Sequence, residues 1–468
     1  MALAHRGPIS TALSYCPVCS KPNIRMFLST PSLATWDNDS TSFFAQDAWG
    51  IGDQLTINAG FRVTHTVMTT PETRVSGGHF AGTAIANRFP ALNATTLPAT
   101  ELVNWTTVEP RFALTYSVDP EGRTVVRAGL SRYYHPLPSF QLFVSNPAFP
   151  FNFVTLWFDR NGDDLFQIGE DGRLLFSFGG LINPVDENVR RPYTNEFMVG
   201  ASHEFEQGVQ VSANFIYRRD KDLMATVDQG VPFSSYSPVS VVDPGPDGMA
   251  GTGDDGSLTV FAQDPATIGQ SQNLVINPAG NDRTFTGFEL TASKRFSDNW
   301  QGVASLVVSE MEVIQPTTAN QTADLYDNPN GLINAKGLDQ INRTAKFKLQ
   351  GTYLFDFGLN VSGFYRFLTG LPYTRELVVT DLPQGPFNVF AEPRGSSKTD
   401  NTNILDLRFE QRFGLEGDST YVGLILDIFN VFNAAPVVDY GTITGVDYRD
   451  PRAVANPRVA RVGVRFGW

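Results

Sequence analysis

Residues 344–368 read TAKFKLQGTYLFDFGLNVSGFYRFL and contain two strand-like runs on either side of the short turn Asp-Phe-Gly at 356–358. In the first run, apolar and polar side chains alternate. The apolar set is Ala345, Phe347, Leu349, Tyr353 and Phe355, and the polar set is Lys346, Lys348, Gln350 and Thr352. Successive side chains of a β-strand point to opposite faces, so a period of two indicates a strand. The stretch predicts a hairpin with one apolar and one polar face.

The same pattern recurs along the chain and predicts thirteen strands. They lie near residues 40–49, 54–64, 107–117, 123–134, 193–204, 209–219, 284–296, 300–310, 341–355, 359–368, 402–413, 420–432 and 458–468. Short turns rich in Gly, Asp and Asn alternate strictly with long polar loops, the longest running from Asp220 to Arg283. Transmembrane barrels have short turns on one side and long loops on the other. The pattern therefore predicts an all-β, transmembrane antiparallel β-barrel. A soluble secreted β protein is the less favoured alternative, because long structureless connections are uncommon in compact domains.

Composition excludes several classes of protein. The 468 residues are 41% hydrophobic, 12% aromatic and only 18% charged, with 36 Phe and 41 Gly, which argues against a helical protein. A net charge of −13 argues against nucleic acid as a partner. The sequence has no apolar run long enough for a transmembrane helix. It also lacks the G-x-S-x-G, P-loop and H-E-x-x-H motifs, so we predict that the protein is not an enzyme.

The last predicted strand, RVARVGVRFGW at 458–468, places one set of apolar residues on a single face. This set is Val462, Val464, Phe466 and Trp468. An alternating strand that ends in an aromatic residue is similar to the C-terminal signal that the barrel-assembly machinery reads in outer-membrane proteins. The alternative is an ordinary edge strand that happens to stop at Trp468.

Several stretches resemble barrel hairpins of TonB-dependent receptors. They are SFFAQDAW at 42–49 with LTINAGFR at 55–62, EPRFALTY at 109–116 with TVVRAGLSRY at 124–133, GFELTASKRF at 287–296 and LDIFNVFN at 426–433. No single motif is specific, but their order is, and the resemblance covers about residues 40–468. The long Asp- and Gly-rich loops are most similar to the Oar-like branch of that family.

The resemblance implies location in the outer membrane of a Gram-negative cell and a role in transport. The family's barrel has 22 strands around an N-terminal plug, so thirteen strands would correspond to strands 10 to 22, and we expect the sequence to be a fragment without the plug. Residues 1–39 are expected to be an irregular segment outside the barrel, and 40–468 a partial barrel. The expected extracellular loops are about 65–106, 135–192, 220–283, 311–340, 369–401 and 433–457. With an odd number of strands and two open edges, we expect the chain alone not to form a sealed pore.

The resemblance also implies partners and an activity for the intact protein. The partners would be membrane lipid, the barrel-assembly machinery, the TonB energy-transducing complex acting through the plug, and a bulky ligand taken up actively. The alternatives are a non-transporting surface or adhesion barrel and a non-functional gene fragment. A plug encoded upstream would favour transport.

Cationic side chains fall on the polar faces of the predicted strands, where they would face the lumen. They are Arg62, Arg111, Arg127, Arg295, Lys346, Lys348, Arg366, Arg408, Arg412, Arg461 and Arg465. In a complete receptor such residues would meet the plug. The alternative is a hydrated wall with no role in selectivity.

Two acidic loops are candidate calcium sites, and calcium is the sole cofactor the sequence suggests. In the loop 159–170, Asp159, Asn161, Asp163 and Glu170 occupy positions 1, 3, 5 and 12 of an EF-type loop, although Asp164 replaces the usual glycine. A second loop carries four aspartates in a glycine-rich frame, namely Asp243, Asp247, Asp254 and Asp255. For both, an acidic solvated loop is the alternative.

Cys16 and Cys19 form a single C-x-x-C pair near the start of the chain. One pair supplies only two metal ligands, so we do not expect a zinc or redox site. A local disulfide, or a misassigned start of the reading frame, explains the pair better.

Overall fold

A computed structural model describes residues 3–5, 24–30, 32–136, 145–178, 184–314, 325–414 and 420–467. Thirteen long strands form one antiparallel sheet in chain order. Their bounds are β1 Asp37–Ile51, β2 Leu55–Thr70, β3 Thr100–Ser117, β4 Thr124–Tyr134, β5 Tyr193–Glu204, β6 Val209–Lys221, β7 Arg283–Ser297, β8 Trp300–Val313, β9 Ala345–Leu354, β10 Leu359–Leu368, β11 Thr402–Gly414, β12 Tyr421–Phe429 and β13 Val459–Gly467. The predicted number and order of strands are confirmed.

The connections alternate in length as the sequence predicts. Short turns join β1 to β2 and β3 to β4, and the glycines in them, Gly52 and Gly122, have φ values of +62° and +69°. Glycine adopts this left-handed region readily because it lacks a Cβ atom. Among the described residues, β1 pairs only with β2 and β13 only with β12, so the sheet is open at both ends.

The described parts of six long connections lie at the opposite end of the strands from the described short turns. We call them loop 1 (71–99), loop 2 (135–192), loop 3 (222–282), loop 4 (314–344), loop 5 (369–401) and loop 6 (430–458). The outer ends of β2 and β3 extend well into the expected first loop, which shortens it. Thr-rich stretches such as 64–70 lack a clear apolar face, and their pairing across the hairpin extends the strands beyond the alternating segment.

The long loops are folded, although the sequence shows no periodic pattern in them. Within them, short antiparallel pairs join Thr73–Val75 to Thr95–Leu97, Ala225–Asp228 to Asn273–Ile276, Tyr236–Asp243 to Gly256–Gln263, Pro372–Tyr373 to Ser397–Lys398, Glu376–Val379 to Phe387–Phe390 and Val437–Tyr440 to Pro451–Val454. Gly337–Leu338 of loop 4 adds to the end of β8. The described helices are Ala84–Arg88 and the short 3-10 segments Gly78–Phe80, Pro90–Leu92, Glu206–Gly208, Phe233–Ser235, Pro265–Thr267 and Pro329–Leu332. In the described part of the chain, no helix is both long and apolar enough to cross a membrane.

Residues before β1 differ from the expected irregular segment. Ile24–Ser29 forms a strand that pairs with Asn152–Trp157 of loop 2, and this strand in turn pairs with Asp171–Phe178. Leu3–His5 pairs with the outer side of Ile24–Ser29. The described strands of the segment, Leu3–His5 and Ile24–Ser29, therefore join the loop layer in a four-stranded sheet.

Buried apolar residues are concentrated on the long-loop side. One cluster joins residues 26–28 to loops 1 and 2 and contains Met26, Leu28, Phe80, Ile85, Ala86, Phe89, Leu92, Phe153 and Trp157. A second joins the ends of β2 and β3 to loops 2 and 3 and contains Met68, Val103, Trp105, Val189, Met224 and Val275. A third joins loops 3 and 5 through Val260, Leu377, Val379, Leu382 and Val389. These clusters connect loops 1, 2, 3 and 5 into one packed layer.

Candidate functional site: the polar wall and the loop layer

The sheet has two chemically different faces. Residues directly opposed across an antiparallel pair project from the same face, so the register assigns each side chain to a face. One face carries exposed apolar side chains such as Phe43, Phe288 and Leu349, with Phe43 65% exposed. Sheet surfaces that face water are rarely this apolar. A large exposed patch of apolar side chains usually marks a surface that contacts another protein or a membrane. The opposite face, which we call the polar wall, carries most of the charged residues of the strands.

The predicted lumen cations lie on the polar wall. The register places Arg62, Arg111, Arg127, Lys346, Lys348, Arg366, Arg408, Arg412, Arg461 and Arg465 on this one face. Arg295 lies beside an irregularity in the pairing of β7 with β8, and its guanidinium lies 3.2 Å from Glu204. That these side chains line a lumen stays a prediction.

Two carboxylates organise the wall at β11 to β13. Asp427 Oδ1 accepts from Arg408 Nε at 2.6 Å, and its Oδ2 accepts from Arg461 Nη2 at 2.7 Å. Glu410 accepts from Arg412 Nε at 2.9 Å and from Arg465 Nη1 at 3.2 Å. The arginines outnumber the carboxylates in both groups, so this part of the wall is positively charged. Asp427, Arg408 and Arg461 border a cavity of about 560 Å³ that Gln350, Ser362 and Phe364 also line.

A second cavity, of about 710 Å³, lies at the loop end of the wall. Thr194 Oγ1 donates to Asp220 Oδ1 at 2.7 Å and lies 3.0 Å from His135 Nε2. Arg283 Nη1 lies 3.3 Å from Asp220 Oδ2. This arrangement joins β5, β6 and β7 to the start of loop 2 through one carboxylate.

Arg375 of loop 5 joins three loops. Its Nη1 and Nη2 donate to the two carboxylate oxygens of Asp243 in loop 3 at 2.7 and 2.6 Å. Its Nε donates to Glu392 at 3.0 Å, and Nη1 also donates to Thr444 of loop 6 at 3.0 Å. The hydrogen bonds to Asp243 raise the pKa of Arg375 above its usual value. Because the side chain is only 5% exposed, this buried junction fixes loops 3, 5 and 6 relative to one another.

Side-chain amides continue the connection between loops. Asn330 of loop 4 accepts from Phe261 N and donates to Phe261 O, both at 2.7 Å. Gln384 of loop 5 donates to the same carbonyl oxygen at 2.7 Å and accepts from Gln263 N at 2.9 Å. Both side-chain amides bond to backbone N–H and C=O groups of loop 3, as the backbone of a neighbouring strand would. Loops 3, 4 and 5 therefore form one hydrogen-bonded unit.

The first predicted calcium loop is held by hydrogen bonds of its own. Asp159 accepts from the backbone N–H groups of Gly162 and Asp164 at 2.7 and 3.2 Å. Glu170 accepts from Arg160 N, from Gln167 N and from Trp157 Nε1, and Asn161 and Asp163 bond to each other. Calcium binding there stays a prediction.

The second predicted calcium set does not share one set of contacts. Asp243 is paired with Arg375, whereas Asp247 accepts from Met249 N. Asp254 accepts from Thr252 Oγ1, and Asp255 accepts from Gly251 N. Across the described ranges, no three His, Cys, Asp or Glu side chains are close enough together to hold a metal ion.

The remaining predicted residues lie at the chain ends. Val462, Val464 and Phe466 lie on the apolar face of β13 and are 79%, 56% and 65% exposed. Trp468, Cys16 and Cys19 lie outside the described residues. Their role in barrel assembly or in a disulfide stays a prediction.

Sequence reasoning missed the residues that connect the loops, above all Arg375. No local pattern marks this residue, because its partners Asp243 and Thr444 lie in other loops. The aspartate-rich composition of 243–255 suggested a cation, and the cation that Asp243 meets is a guanidinium of the same chain.

The sheet has the features of a transmembrane β-barrel wall. It is an antiparallel meander with one exposed apolar face and one charged face, and its long loops lie on one side. The model of the family described as outer membrane beta barrel domain matches residues 25–371. The chain belongs to this family, and its location is the outer membrane. The predicted barrel class and location are thus confirmed.

Solved structures that are similar to this chain include three from outer membranes. The outer membrane transporter YddB from Escherichia coli has 11% identity and a TM-score of 0.48 over 95% of this chain and 55% of its own. The FrpB iron transporter from Neisseria meningitidis has 11% identity and a TM-score of 0.47 over 95% and 46%. The ferric-catecholate import receptor Fiu from Escherichia coli K12 has 10% identity and a TM-score of 0.49 over 95% and 51%. The chain spans about half the length of these proteins. No curated protein matches it.

Proposed function

We propose that this chain forms wall and loops of a TonB-dependent outer-membrane transporter that takes up a bulky substrate. The loop layer would bind the substrate on the extracellular side, and the polar wall would border its path. Energy would come from a TonB-type complex in the inner membrane, acting through a plug. No chemical transformation of the substrate is part of this proposal.

One observation carries the proposal: a folded layer of long loops lies over the end of a wall of charged and polar side chains. Cavities of about 710 and 560 Å³ lie along the wall. Ligand sites generally have volumes of about 300–1,000 Å³. A loop layer with its own buried clusters can present a defined surface to a ligand, because its side chains are already fixed by packing.

Uptake by whole cells tests the proposal. In the native host, the gene is deleted and then restored, and cells are given labelled ferric chelates, oligosaccharides and peptides. We expect deletion to abolish energy-dependent uptake of one of these classes, and a protonophore to abolish it in the parent strain. Unchanged uptake of all three classes would contradict transport.

Attachment of the cell to a surface is the second candidate function. Apolar side chains are exposed at the tips of the loops: Val446 is 90% exposed and Leu165 is 66% exposed. Such residues can bind another surface when they lie close together. Deletion that lowers attachment to surfaces or to other cells, and leaves uptake unchanged, would favour this function.

We further propose that calcium orders loop 2 at residues 159–170 by drawing the carboxylates of the loop closer together than they lie in this structure. The carboxylates of Asp159 and Glu170 are buried within the loop, and carboxylates are preferred ligands of calcium. Titrating calcium into the full chain should release or absorb heat in a calorimeter, and Asp159→Asn should abolish the signal. A titration without heat would contradict calcium binding.

A further inference from the structure

A cavity of about 350 Å³ lies where loops 4, 5 and 6 meet. Its walls include Ile341 of loop 4, Pro372 and Tyr373 of loop 5, and Tyr440 and Thr442 of loop 6. The volume is at the lower end of the range for small-molecule sites, about 300–1,000 Å³. The cavity is separate from the polar wall and contains none of the residues that the sequence singles out.

Arg394 lines this cavity, and its positive charge has no ion-pair partner among the described residues. Its residue is only 8% exposed. Its Nε has no hydrogen-bond acceptor among the described residues, and its guanidinium forms no ion pair with a described carboxylate. The contrast is Arg375, which bonds two carboxylates directly. A buried charge without an ion-pair partner is destabilising, so Arg394 would gain from an anion bound in the cavity that it lines.

The backbone around Arg394 is fixed by loop 4. Its N–H donates to Asn334 O at 3.0 Å, and Asn334 Nδ2 donates to Phe390 O at 2.9 Å. A Cβ atom at Gly337 would lie 2.2 Å from the carbonyl oxygen of Arg394, so only glycine allows this approach of the two loops. The guanidinium carbon lies 5.0 Å from the centroid of the Phe390 ring. The cation is therefore held in position before any ligand binds.

Aromatic rings give the cavity walls that suit a flat ligand. The rings of Tyr373 and Tyr440 have centroids 5.7 Å apart and an interplanar angle of 44°. The Phe390 ring lies beside the Arg394 guanidinium, and Pro372 is buried next to Tyr373. Aromatic and apolar walls with a few polar groups are typical of sites for small organic molecules.

The surrounding charge limits the charge of the ligand. Burial lowers the pKa of Arg394, whereas Asp339 and Glu376 act in the opposite direction, and arginine stays protonated at neutral pH. Glu376 and Asp439 also line the cavity. These carboxylates would repel a second negative charge, so a singly charged group fits better than a phosphate dianion.

We propose that this cavity binds the carboxylate of a small planar organic monoanion, with Arg394 as the residue that holds the carboxylate. The inference deepens the proposed function and rests on it, because it assigns a chemical group of the substrate to the loop layer. The guanidinium offers parallel N–H donors, which match the two oxygens of a carboxylate.

Binding of simple probes to the full chain tests the inference. The chain, purified from outer membranes in detergent, is titrated with benzoate, benzamide and inorganic phosphate, and binding is followed by saturation-transfer NMR and calorimetry. Benzoate should bind saturably and at least about tenfold more tightly than benzamide, which has the same ring without the charge. Phosphate should not displace benzoate. Equal affinities for benzoate and benzamide, or displacement by phosphate, would overturn the inference, as would the absence of saturable benzoate binding.

Substitutions then locate the site. Arg394→Gln should weaken benzoate binding by about tenfold or more, because charged hydrogen bonds to the carboxylate are lost. Arg88→Gln in loop 1 removes the same charge from the loop layer away from the cavity and should leave binding unchanged. If Arg394→Gln fails to fold, Gly337→Ala, which separates loops 4 and 5, provides the second variant and should also weaken binding. Wild-type affinity in a folded Arg394→Gln protein would refute the assignment.

The two proposals fail in distinguishable ways. If deletion of the gene abolishes uptake but Arg394→Gln leaves both uptake and benzoate binding unchanged, only the cavity assignment is wrong. If benzoate binds at Arg394 while deletion changes no uptake, the transport proposal is wrong and the cavity serves another function of the loop layer.

Discussion

Asp427 shows how much a single side chain contributes to the polar wall. Its carboxylate accepts hydrogen bonds from arginines on both neighbouring strands, β11 and β13, and its side chain is 5% exposed. Arg408 and Arg461 are 39% and 62% exposed, so solvent screens their side of the interaction. The pairing therefore stabilises the last three strands to a moderate degree.

Asp427→Asn tests this contribution. We expect the free energy of unfolding to fall by about 1–2 kcal/mol, because charged hydrogen bonds are replaced by neutral ones while both arginines remain. Urea unfolding of the full chain in detergent measures the change. Asp381→Asn, an exposed aspartate in loop 5, is the control and should be neutral. An Asp427→Asn protein as stable as the parent would show that the pairs contribute nothing.

Asp282 predicts an effect of pH at the base of loop 3. Burial alone would raise its pKa, but hydrogen bonds from Lys221 and Arg219 outweigh this effect and leave the pKa below the usual value of 3.8. A carboxyl group with a depressed pKa contributes stability that is present above its unfolded pKa and lost as the pH falls through the folded value. The contact should therefore hold at neutral pH and weaken below about pH 4.

Hydrogen exchange in loop 3 measures this dependence. The amides next to Asp282 should exchange faster once acid protonates the carboxyl, after correction for the intrinsic rate. In Asp282→Asn the same amides should be less protected at neutral pH and should show no further loss in acid. An identical acid response in both proteins would assign the effect to another group.

At the residue scale, the sequence predicted the wall better than the loops. The positions of the cations on the polar face could be predicted from alternation alone, because every second residue of a strand lies on the same face of the sheet. Arg375 and Arg394 could not be predicted, because their environments depend on residues such as Asp243 and Asn334 that are distant in sequence. The aspartates of loop 3 were visible, but composition alone does not reveal an internal partner.

Among the elements, β9 offers the sharpest test of the two faces. Phe347 and Lys348 are adjacent, and the register pairs them with Phe367 and Arg366 of β10. In a background of Cys16→Ser and Cys19→Ser, spin labels attached at Phe347→Cys and Lys348→Cys should differ. The first should be accessible to oxygen dissolved in lipid, and the second to a water-soluble nickel complex. Equal accessibilities would contradict the assignment of faces.

Strand positions were predictable because alternation and turn residues are local signals. β5 and β10 begin and end where the sequence predicted, and β3 and β2 extend further on the loop side. The short strand pairs inside the loops were not predictable. Pairs such as Ala225–Asp228 with Asn273–Ile276 join segments far apart in sequence and are too short to show a period.

At the scale of the whole molecule, the loops behave as a folded layer and not as separate connections. Arg375 joins loops 3, 5 and 6, and Asn330 joins loop 4 to loop 3. Hydrogen bonding to Asp243 raises the pKa of Arg375 above its usual value, so the guanidinium keeps its charge far above neutral pH. The junction should be insensitive to pH in the physiological range.

Arg375→Met tests whether this junction holds the layer together. Removing one partner of a buried ion pair leaves the other charge unpaired, which costs about 3–5 kcal/mol. We expect faster hydrogen exchange in loops 3, 5 and 6 at once, with the strands of the wall unchanged. Lys336→Met, which removes an exposed lysine of loop 4, is the control. Loss of protection in loop 5 alone would mean that the loops open independently.

The strict alternation of the wall also restricts how this chain can change length. Inserting one residue in the middle of β9 would move every side chain on one side of the insertion to the opposite face of the sheet. Lys346 or Lys348 would then face hydrocarbon. A cation at the middle of the bilayer costs about 2–4 kcal/mol. Inserting two residues preserves the environments, and a loop accepts any number. Natural variation within the strands should therefore favour even-numbered insertions and deletions, while the loops should vary freely in length.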